Sequence, residues 1–310
     1  MTAQPAQKTL KLAGVSPVLE VPFDSDGNLD VDSFTAMADH VLGLGVNSVL
    51  FPAFASEFYK LGDDERALLL GELLDVAKAH PGGVIASVPD HATSVAVKRA
   101  VQAVEAGAAA INVLPPFLAG PPAAAVLEHC GQILAAVAPT PVVIQYAPAQ
   151  TGSTFDATTF ATLRAAHPNL AAVKVETALP GSLIAALKAL DDPIPAFVGY
   201  AGLHMVDSYR RGAVGVQPGC SFTELYLAVW AALTRGDEAA AMALHGRMLS
   251  WLVYWMQNVE LIVAVEKEIS ARRGLIRTAY CRPPAWHLDD SEQRAIDAFL
   301  MEFESELKGM

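Results

Sequence analysis

Cysteines, basic residues and long apolar runs are scarce in this sequence of 310 residues. Its three cysteines, Cys130, Cys220 and Cys281, have no C-x-x-C spacing, so neither a disulfide framework nor a cysteine metal site is predicted. No apolar run is long enough to cross a bilayer, and residues 1–14 lack the apolar core of a signal peptide. We therefore expect a soluble, cytoplasmic protein with reduced thiols and no membrane partner.

Positive charge is outnumbered: 21 Lys and Arg against 33 Asp and Glu give a formal net charge of −12. A chain of this sign repels a phosphate backbone, so nucleic acid is not expected as a partner. Histidines form no H-x-x-x-H pair and acidic residues do not cluster at predicted strand ends, so no metal is predicted. Phosphate-binding glycine motifs are also absent, which predicts an enzyme that works without a cofactor.

Apolar residues, in contrast, make up 53% of the chain, and they recur in eight short segments rich in Val, Ile and Ala. These segments are nearly continuous apolar runs, typical of parallel strands that are buried on both faces. Helical patterns lie between them, so the eight βα units predict the α/β class and a (β/α)8 TIM barrel. The predicted strands are 13–19, 47–52, 83–88, 109–114, 141–146, 170–175, 195–199 and 213–217.

More helical segments follow the eighth strand than one closing helix requires. We therefore expect barrel strands and helices over residues 12–221, and a closing helix with a C-terminal helical extension over residues 222–310. The helical patterns after the eighth strand are at 222–235, 238–256, 258–273 and 290–306; among those between strands are 31–43, 63–80, 94–106 and 155–167.

Lys174 is the most informative residue, because it interrupts an apolar strand at the end of the barrel where active sites lie. Burying an unpaired ammonium group is costly, whereas an amine in a dry pocket is the nucleophile that condenses with a carbonyl group. The alternative is a purely structural barrel in which Lys174 forms a buried ion pair with Glu57, Glu176 or another acid. Tyr146, at the end of the preceding strand, is either a proton donor and acceptor or a core tyrosine.

The chain resembles the dihydrodipicolinate synthase and N-acetylneuraminate lyase family of class I, Schiff-base aldolases, from about Leu12 to Phe303. The resemblance implies a TIM barrel in which Lys174 forms an imine with a 2-oxo acid and Tyr146 transfers protons. The motifs that carry it are Pro22-Phe23 with Asp26-Gly27-Asn28, Ser56-Glu57, Tyr146 with Thr151-Gly152, and Val173-Lys174.

The loop after the second strand departs from the family pattern. The family has Gly-Thr-Thr-Gly-Glu where this chain has Ala53-Phe54-Ala55-Ser56-Glu57. We expect the backbone N–H groups of Ala55 and Ser56, with the Ser56 side chain, to bind the substrate carboxylate. Phe54 either lines the pocket beside an apolar substituent or is simple packing.

Two further departures concern the second substrate. Phe117 stands where the synthases have a tyrosine, and Gln150 lies near the position of an arginine that binds a second carboxylate. The resemblance places Gly199 and Gln217 among the residues that line the pocket. A glycine there lets backbone approach a ligand, and Gln217 either binds a substrate hydroxyl or caps a strand end.

The predicted function is a lyase or aldolase that acts on pyruvate or a pyruvate-derived 2-oxo acid, with an aldehyde as second substrate and reversible carbon–carbon bond cleavage. We expect an activity other than that of dihydrodipicolinate synthase itself. The alternatives are a hydratase-aldolase or dehydratase that uses the same lysine imine, and a non-catalytic barrel that binds a 2-oxo acid. Family members are commonly tetramers, so a homo-oligomer is expected.

Overall fold

Eight parallel strands form a single barrel in the computed structural model, which describes residues 10–308. They are β1 (Gly14–Val15), β2 (Ser48–Phe51), β3 (Gly83–Val88), β4 (Ala110–Val113), β5 (Val142–Tyr146), β6 (Leu170–Val175), β7 (Ala196–Val198) and β8 (Gly215–Val216). Neighbouring strands follow the order β1-β8-β7-β6-β5-β4-β3-β2. Bridges from Val18 to Leu50 and to Gly219 close the barrel beside β1. The predicted fold class and all eight predicted strands are confirmed.

Helices fill the crossovers between strands and continue beyond the barrel. The crossover helices are α1 (Val31–Gly43), α2 (Asp63–Ala77), α3 (Thr93–Ala106), α4 (Ala123–Val137), α5 (Pro148–Thr151), α6 (Ala157–Ala166), α7 (Pro180–Lys188) and α8 (Met205–Arg211). After β8 follow α9 (Thr223–Thr234), α10 (Glu238–Trp255), α11 (Val259–Arg272), α12 (Asp290–Glu302) and α13 (Glu304–Lys308). The predicted helices are confirmed, except that the segment 290–306 is divided at Phe303.

Short polar side chains fix where several of these helices begin. Asp30 accepts a hydrogen bond from the Ser33 N–H at 3.1 Å and so caps α1. Asn258 caps α11 in the same way, accepting from the Glu260 N–H at 2.8 Å. The cap therefore fixes the start of α11 three residues after α10 ends at Trp255.

The barrel has two apolar layers, one inside and one outside the sheet. Val173 and Val175 of β6 face outward into the core shared with the surrounding helices. Ala172, the residue before Val173, packs inside the barrel with Val143 and Phe197. This alternation explains why the strands are apolar on both faces, and it determines which side chains reach the mouth of the barrel.

Helix α11 lies against the barrel mouth, where it contacts the 3₁₀ turn Phe54–Ser56 that follows β2. Lys267 of α11 forms an ion pair with Glu57, in which both side chains are fully buried, and donates a hydrogen bond to the Tyr280 carbonyl at 3.0 Å. The division of the chain into a barrel and an extension at residue 222 stays a prediction.

The N-terminal residues 1–9 and the last two residues, 309 and 310, lie outside the described part of the chain. The prediction that residues 1–14 contain no signal peptide, and the last two residues of the predicted extension, therefore fall wholly or partly outside the described residues. Among residues 10–308, none of the helices combines the length and the apolar character needed to span a bilayer.

Candidate active site

A cavity of about 670 Å³, part of it open to solvent, lies between the C-terminal ends of the strands and α11. The barrel side of this cavity carries the polar groups, and α11 with the end of α10 forms a largely apolar wall. The barrel side includes Val18, Ala53, Phe54, Ala55, Gln145, Gln150, Lys174, Glu176, Tyr200, Ala201, Gln217, Pro218 and Gly219. The wall includes Met256, Val259, Ile262, Val263 and Glu266.

Lys174 lies at the base of this cavity, on the inner face of β6. Its side chain is 3% exposed, and its Nζ is 3.5 Å from Oε1 of Glu176. The two residues are two positions apart in or just after a strand, so they share one face. Of the acids considered for a buried ion pair, Glu176 is the partner, whereas Glu57 instead contacts Lys60 and Lys267.

Glu176 is held in place by three neighbours. Gln145 Nε2 donates to its Oε2 at 2.7 Å, and the backbone N–H of Tyr200 donates to its Oε1 at 3.3 Å. Tyr200 and Ala201 adopt left-handed backbone with φ of 50° and 47°, a costly conformation that is concentrated at functional sites. Gly199 leaves room for the carboxylate, because a Cβ there would come within 2.2 Å of Glu176 Oε1.

Gln145 is the β5 residue that lies beside Lys174, and the two are register partners in the sheet. Its Oε1 accepts a hydrogen bond at 3.0 Å from Asn112 Nδ2, which also donates to Ser87 Oγ at 3.0 Å. This chain of donors fixes the orientation of the Gln145 amide. An amide has no titratable proton, so Gln145 positions Glu176 and does not relay protons.

Tyr146 faces away from the cavity, so the prediction that it meets Lys174 at the barrel mouth is wrong. Its ring packs on Phe155 and Phe160, and its hydroxyl accepts a hydrogen bond from the Phe155 N–H at 3.0 Å. The cause is the alternation of β5, which places Gln145 inside and Tyr146 outside. Tyr146 therefore corresponds to the alternative of a core tyrosine.

The loop after β2 is only partly available to a substrate. Ser56 Oγ donates to the Leu19 carbonyl and accepts from the Ala53 N–H at 3.0 Å, while the Ser56 N–H donates to the Ala53 carbonyl. The Ser56 hydroxyl and the Ser56 N–H are thus both engaged within the protein. The prediction that these two groups bind the substrate carboxylate does not agree with this arrangement. Phe54 and Ala55 line the cavity, and the Ala55 N–H makes no hydrogen bond within residues 10–308.

Gln217 lines the cavity with its amide group unused. The side chain is buried, and neither its Nε2 nor its Oε1 has a hydrogen-bond partner within residues 10–308. A buried amide without partners is costly in a protein interior, so a ligand that hydrogen-bonds to it gains affinity. Its predicted contact with substrate stays a prediction.

Phe117 and Gly199, two further candidates for substrate contact, are not among the residues that line this cavity, and their contact with substrate stays a prediction. The N–H groups of Phe117 and Leu118 donate to His91 Nε2 at 3.1 and 2.9 Å, and the Phe117 ring packs on the imidazole. Burial lowers the pKa of His91, in keeping with a neutral ring whose Nε2 is an acceptor. Phe117 thus belongs to a contact between the loops after β3 and β4.

Glu266, the acid on the α11 side of the cavity, is not among the residues predicted from the sequence. The residue is 3% exposed, and its Oε2 has no hydrogen-bond partner in the described part of the chain. A signal was present in the sequence, because Val259, Ile262, Val263 and Glu266 follow the i, i+3, i+4, i+7 spacing of one helix face. An acid that interrupts an apolar stripe is as unusual as a lysine in an apolar strand.

Burial, together with the nearby Glu20 carboxylate, raises the pKa of Glu266 to about 8. Hydrogen bonds from the Ser221 backbone and hydroxyl and from the Cys220 backbone oppose this rise. At neutral pH, Glu266 is therefore mainly a protonated acid, whereas most glutamates are ionised. The cavity thus contains an amine, a carboxylate fixed by two donors, and a neutral carboxylic acid.

No group of three or more His, Cys, Asp or Glu side chains suited to a metal ion occurs among residues 10–308. The polar groups of the cavity are amides, carboxyls, a phenol and one amine. Such a set can bind a small polar organic molecule and can transfer protons to and from it.

The Dihydrodipicolinate synthetase family matches residues 11–303. A 4-hydroxy-tetrahydrodipicolinate synthase from Acidothermus cellulolyticus is 29% identical over 252 residues, 81% of this chain and 80% of that protein. An L-2-keto-3-deoxyarabonate dehydratase from Azospirillum brasilense is 26% identical and matches 90% of each chain.

Solved structures of this family have the same fold as this chain. The crystal structure of a prophage protein of the dihydrodipicolinic acid synthase family from Escherichia coli, in complex with pyruvate, gives a TM-score of 0.86. It covers 94% of this chain and 99% of that chain at 23% identity. The predicted family, fold and enzyme class, that of lyases and aldolases, are therefore confirmed. The chain belongs to the Dihydrodipicolinate synthetase family.

Proposed function

We propose that this protein is a Schiff-base-forming lyase that acts on pyruvate or a pyruvate-derived 2-oxo acid, with Lys174 as the nucleophile. The observation that carries the proposal is the position of Lys174, the one cation among the described residues that line the cavity. It is nearly fully buried and lies beside a carboxylate that can accept its proton. An amine in such surroundings is suited to attack a carbonyl carbon.

In the proposed mechanism, Glu176 performs the proton transfers that had been expected of Tyr146. Its carboxylate takes a proton from the Lys174 ammonium group, and the free amine adds to the carbonyl carbon of the 2-oxo acid. The proton on Glu176 then goes to the hydroxyl of the carbinolamine, which leaves as water. The product is a protonated imine on Lys174, and Glu176 is again a carboxylate.

We infer that the substrate carboxylate is bound by main-chain and amide donors. The Ala55 N–H and the Gln217 Nε2 have no hydrogen-bond partner within residues 10–308, and both residues line the cavity. Donors that are already oriented hold an anion without the cost of rearrangement. The Phe54 ring lies next to this position and is proposed to limit the space beside the carboxylate.

The charges of the cavity favour an uncharged second substrate. A second carboxylate would find no cation beyond Lys174, and it would meet Glu176 and Glu266. Gln150, with its Oε1 accepting a hydrogen bond from the Tyr200 hydroxyl at 3.2 Å, provides no charge. An uncharged aldehyde, bound against the apolar wall on α11, is therefore proposed, and an activity other than dihydrodipicolinate synthesis.

Deuterium exchange into pyruvate tests this proposal. An imine on Lys174 that converts to its enamine exchanges the methyl protons of pyruvate, so the wild-type protein in D2O is expected to remove the methyl signal from the proton NMR spectrum. K174M is expected to abolish the exchange, and E176Q to slow it about 100-fold or more. The matched control is K188M, which changes an exposed lysine on α7.

Two outcomes would oppose the proposal. Exchange by K174M at the wild-type rate would remove Lys174 from the mechanism. Saturable binding of pyruvate and 2-oxobutanoate without exchange or trapped imine would favour the non-catalytic barrel. Loss of exchange together with retained binding in K174M would instead support the imine mechanism.

We also propose a homo-oligomer, tetrameric by family resemblance, that works in the cytoplasm. Two leucines in loops on the outside of the barrel support an interface, since Leu118 is 66% exposed and Leu179 is 77% exposed. Light scattering after size-exclusion chromatography would measure the mass of the particle. A monomer at micromolar concentration would contradict the proposed assembly.

A further inference from the structure

Glu266 differs from the other buried carboxyl groups because it lines the cavity while no cation contacts it among residues 10–308. Its Oε2 is buried without a partner within residues 10–308, although the residue lines the cavity that also contains Lys174. Gly219 makes this position possible, because a Cβ there would lie 1.7 Å from Glu266 Oε2. The backbone is thus shaped to admit a carboxyl group at this point of the cavity wall.

A structural ion pair does not explain Glu266. The neighbouring Lys267 is directed to Glu57 and to the Tyr280 carbonyl, and it also lies over the Phe23 ring. Glu57 has two lysines, and Glu20 Oε1 accepts from Ser270 at 2.7 Å. Glu20 Oε2 also lacks a partner within residues 10–308, but Glu20 does not line the cavity. Leaving a buried polar atom unpaired is costly, and such atoms in native proteins call for a role.

We propose that Glu266 is a catalytic acid of this enzyme, which protonates a substrate hydroxyl two carbons away from the imine carbon so that it leaves as water. This rests on the proposed imine at Lys174 and adds a second step to the proposed reaction, the dehydration of the 4-hydroxy-2-oxo acid that pyruvate and an aldehyde form. The substituent beyond the hydroxyl would then lie along Val259, Ile262 and Val263, so a small apolar group is the class of substrate that fits.

The proposed elimination balances in atoms and electrons. Glu176 takes a proton from the carbon next to the imine carbon, and the electron pair of that bond forms the enamine. Glu266 gives its proton to the hydroxyl, the carbon–oxygen bond breaks, and its electron pair leaves with the water. The enamine electrons form the new carbon–carbon double bond, and water then hydrolyses the imine to release a 2-oxo-3-enoic acid and free Lys174. The proton taken by Glu176 returns to Glu266 through solvent.

The surroundings of Glu266 keep it in the form that this step needs. Burial and the Glu20 carboxylate raise its pKa to about 8. The other titratable or charged groups facing it are the Cys220 thiol, the Tyr226 phenol on α9 and, across the cavity, Lys174 and Glu176. Burial raises the pKa of both Cys220 and Tyr226, so both are neutral at pH 7. The elimination rate is therefore expected to fall as the pH rises above about 8.

The test compares two leaving groups in the E266Q variant. The probes are 4-hydroxy-2-oxopentanoate, whose hydroxyl needs a proton to leave, and 4-acetoxy-2-oxopentanoate, whose acetate leaves without one. For the hydroxy probe, E266Q is expected to lose about 100-fold or more in rate, measured by absorbance of the 2-oxo-3-enoate. For the acetoxy probe, the loss is expected to be under about 10-fold, because only the acid step has been removed. E268Q, on the outer side of α11 where Glu268 pairs with Arg272, is the matched control.

Borohydride trapping of pyruvate on each variant separates this proposal from the imine proposal. If E266Q traps pyruvate as the wild type does, its site is folded and the rates report on Glu266 alone. Equal losses for both probes, or no loss for the hydroxy probe, would overturn the acid role. A wild-type protein that forms the trapped imine but only cleaves the hydroxy probe to pyruvate would also overturn it. If the wild-type protein traps no pyruvate, both the imine proposal and the acid role of Glu266 that rests on it would be overturned.

Discussion

Lys174 and Glu176 are charged side chains that the barrel encloses where most interior positions are apolar. Their contact of 3.5 Å is longer than a close ion pair, and both groups are nearly removed from water. Because desolvation of two charges is only partly repaid by their attraction, such a pair adds little stability. Its placement at the mouth is better explained by the proposed mechanism, in which a proton is transferred between the two groups.

The outward position of Tyr146 gives a prediction at the level of one residue. Y146F removes the acceptor of the Phe155 N–H and is expected to cost about 1 kcal/mol in the free energy of unfolding. The deuterium exchange rate should stay within about 2-fold of wild type, because Tyr146 faces away from the cavity and its hydroxyl takes no part in the proposed reaction. Urea denaturation and proton NMR measure the two effects.

Gln145 provides the matched comparison. Q145L removes the donor that holds Glu176 Oε2 and should slow exchange at least about 10-fold, since displacement of a catalytic group by a fraction of an ångström is costly. A Y146F protein that is slower than Q145L would show that the phenol acts in catalysis after all.

Sequence alone identified Lys174 but not which residue of β5 lies beside it. A charge in an apolar strand is visible without a structure, whereas the face on which Gln145 or Tyr146 lies depends on register. In the β5–β6 pairing, Val142 pairs with Leu170 but Val143 pairs with Ala172, so the register that places Gln145 beside Lys174 cannot be counted from the strand starts. Hydrogen bonds such as those of Ser56 are likewise tertiary contacts that a motif does not specify.

At the level of elements, the loops after β7 and β8 contain glycines that make space for carboxyl groups. G199A would place a Cβ 2.2 Å from Glu176 Oε1, so the carboxylate must move away from Lys174. We expect kcat to fall about 100-fold while the protein stays folded, since the strand end can adjust by side-chain movement.

The control for this change is G246A on α10. No atom lies within 4 Å of a Cβ built at Gly246, and alanine in a helix interior is expected to stabilise the protein by about 0.5–1 kcal/mol without affecting kcat. If G199A and G246A had equal kcat, the position of Glu176 would not matter for the reaction.

Helix α11 is attached to the barrel by the Lys267–Glu57 pair, in which both side chains are 0% exposed. K267M leaves the Glu57 carboxylate with Lys60 as its one remaining cation, and we expect a loss of about 3 kcal/mol in unfolding free energy. The exposed Lys78–Asp75 pair is the comparison, and K78M should change stability by less than about 0.5 kcal/mol. Equal stability of K267M and wild type in urea denaturation would contradict the view that this pair secures α11.

For the whole molecule, the barrel was predictable because strands buried on both faces and helices between them leave clear apolar patterns. All eight strands and most helix boundaries follow from such local patterns. The position of α11 over the mouth was not predictable, because an apolar stripe shows that a helix packs but not against what. For this reason, residues on the barrel side of the cavity could be predicted from the sequence, whereas Glu266 on α11 could not.

The pH dependence of stability is a property of the whole chain, and Glu266 determines part of it. The folded protein keeps the Glu266 proton up to a pH of about 8, whereas the unfolded chain releases it near the ordinary pKa of 4.5. Between these values the folded state binds more protons, so raising the pH favours unfolding. The free energy of unfolding should fall with a slope of at most about 1.4 kcal/mol per pH unit from this group.

E266Q should show a smaller slope over the same range, measured by urea denaturation between pH 5 and 8. Burial also raises the pKa of Glu20, so a residual slope of the same sign is expected in the variant. Identical slopes in wild type and E266Q would indicate that Glu266 is ionised in the folded protein, against its proposed role as an acid.

The central claim, that Lys174 forms an imine with a 2-oxo acid, is tested most directly by borohydride reduction in the presence of pyruvate. The account predicts N-(1-carboxyethyl)lysine at position 174 in the peptide mass spectrum, absent from K174M and from samples without pyruvate. Unmodified Lys174 in the wild-type protein after treatment with pyruvate and with 2-oxobutanoate, or the adduct on another lysine, would contradict it.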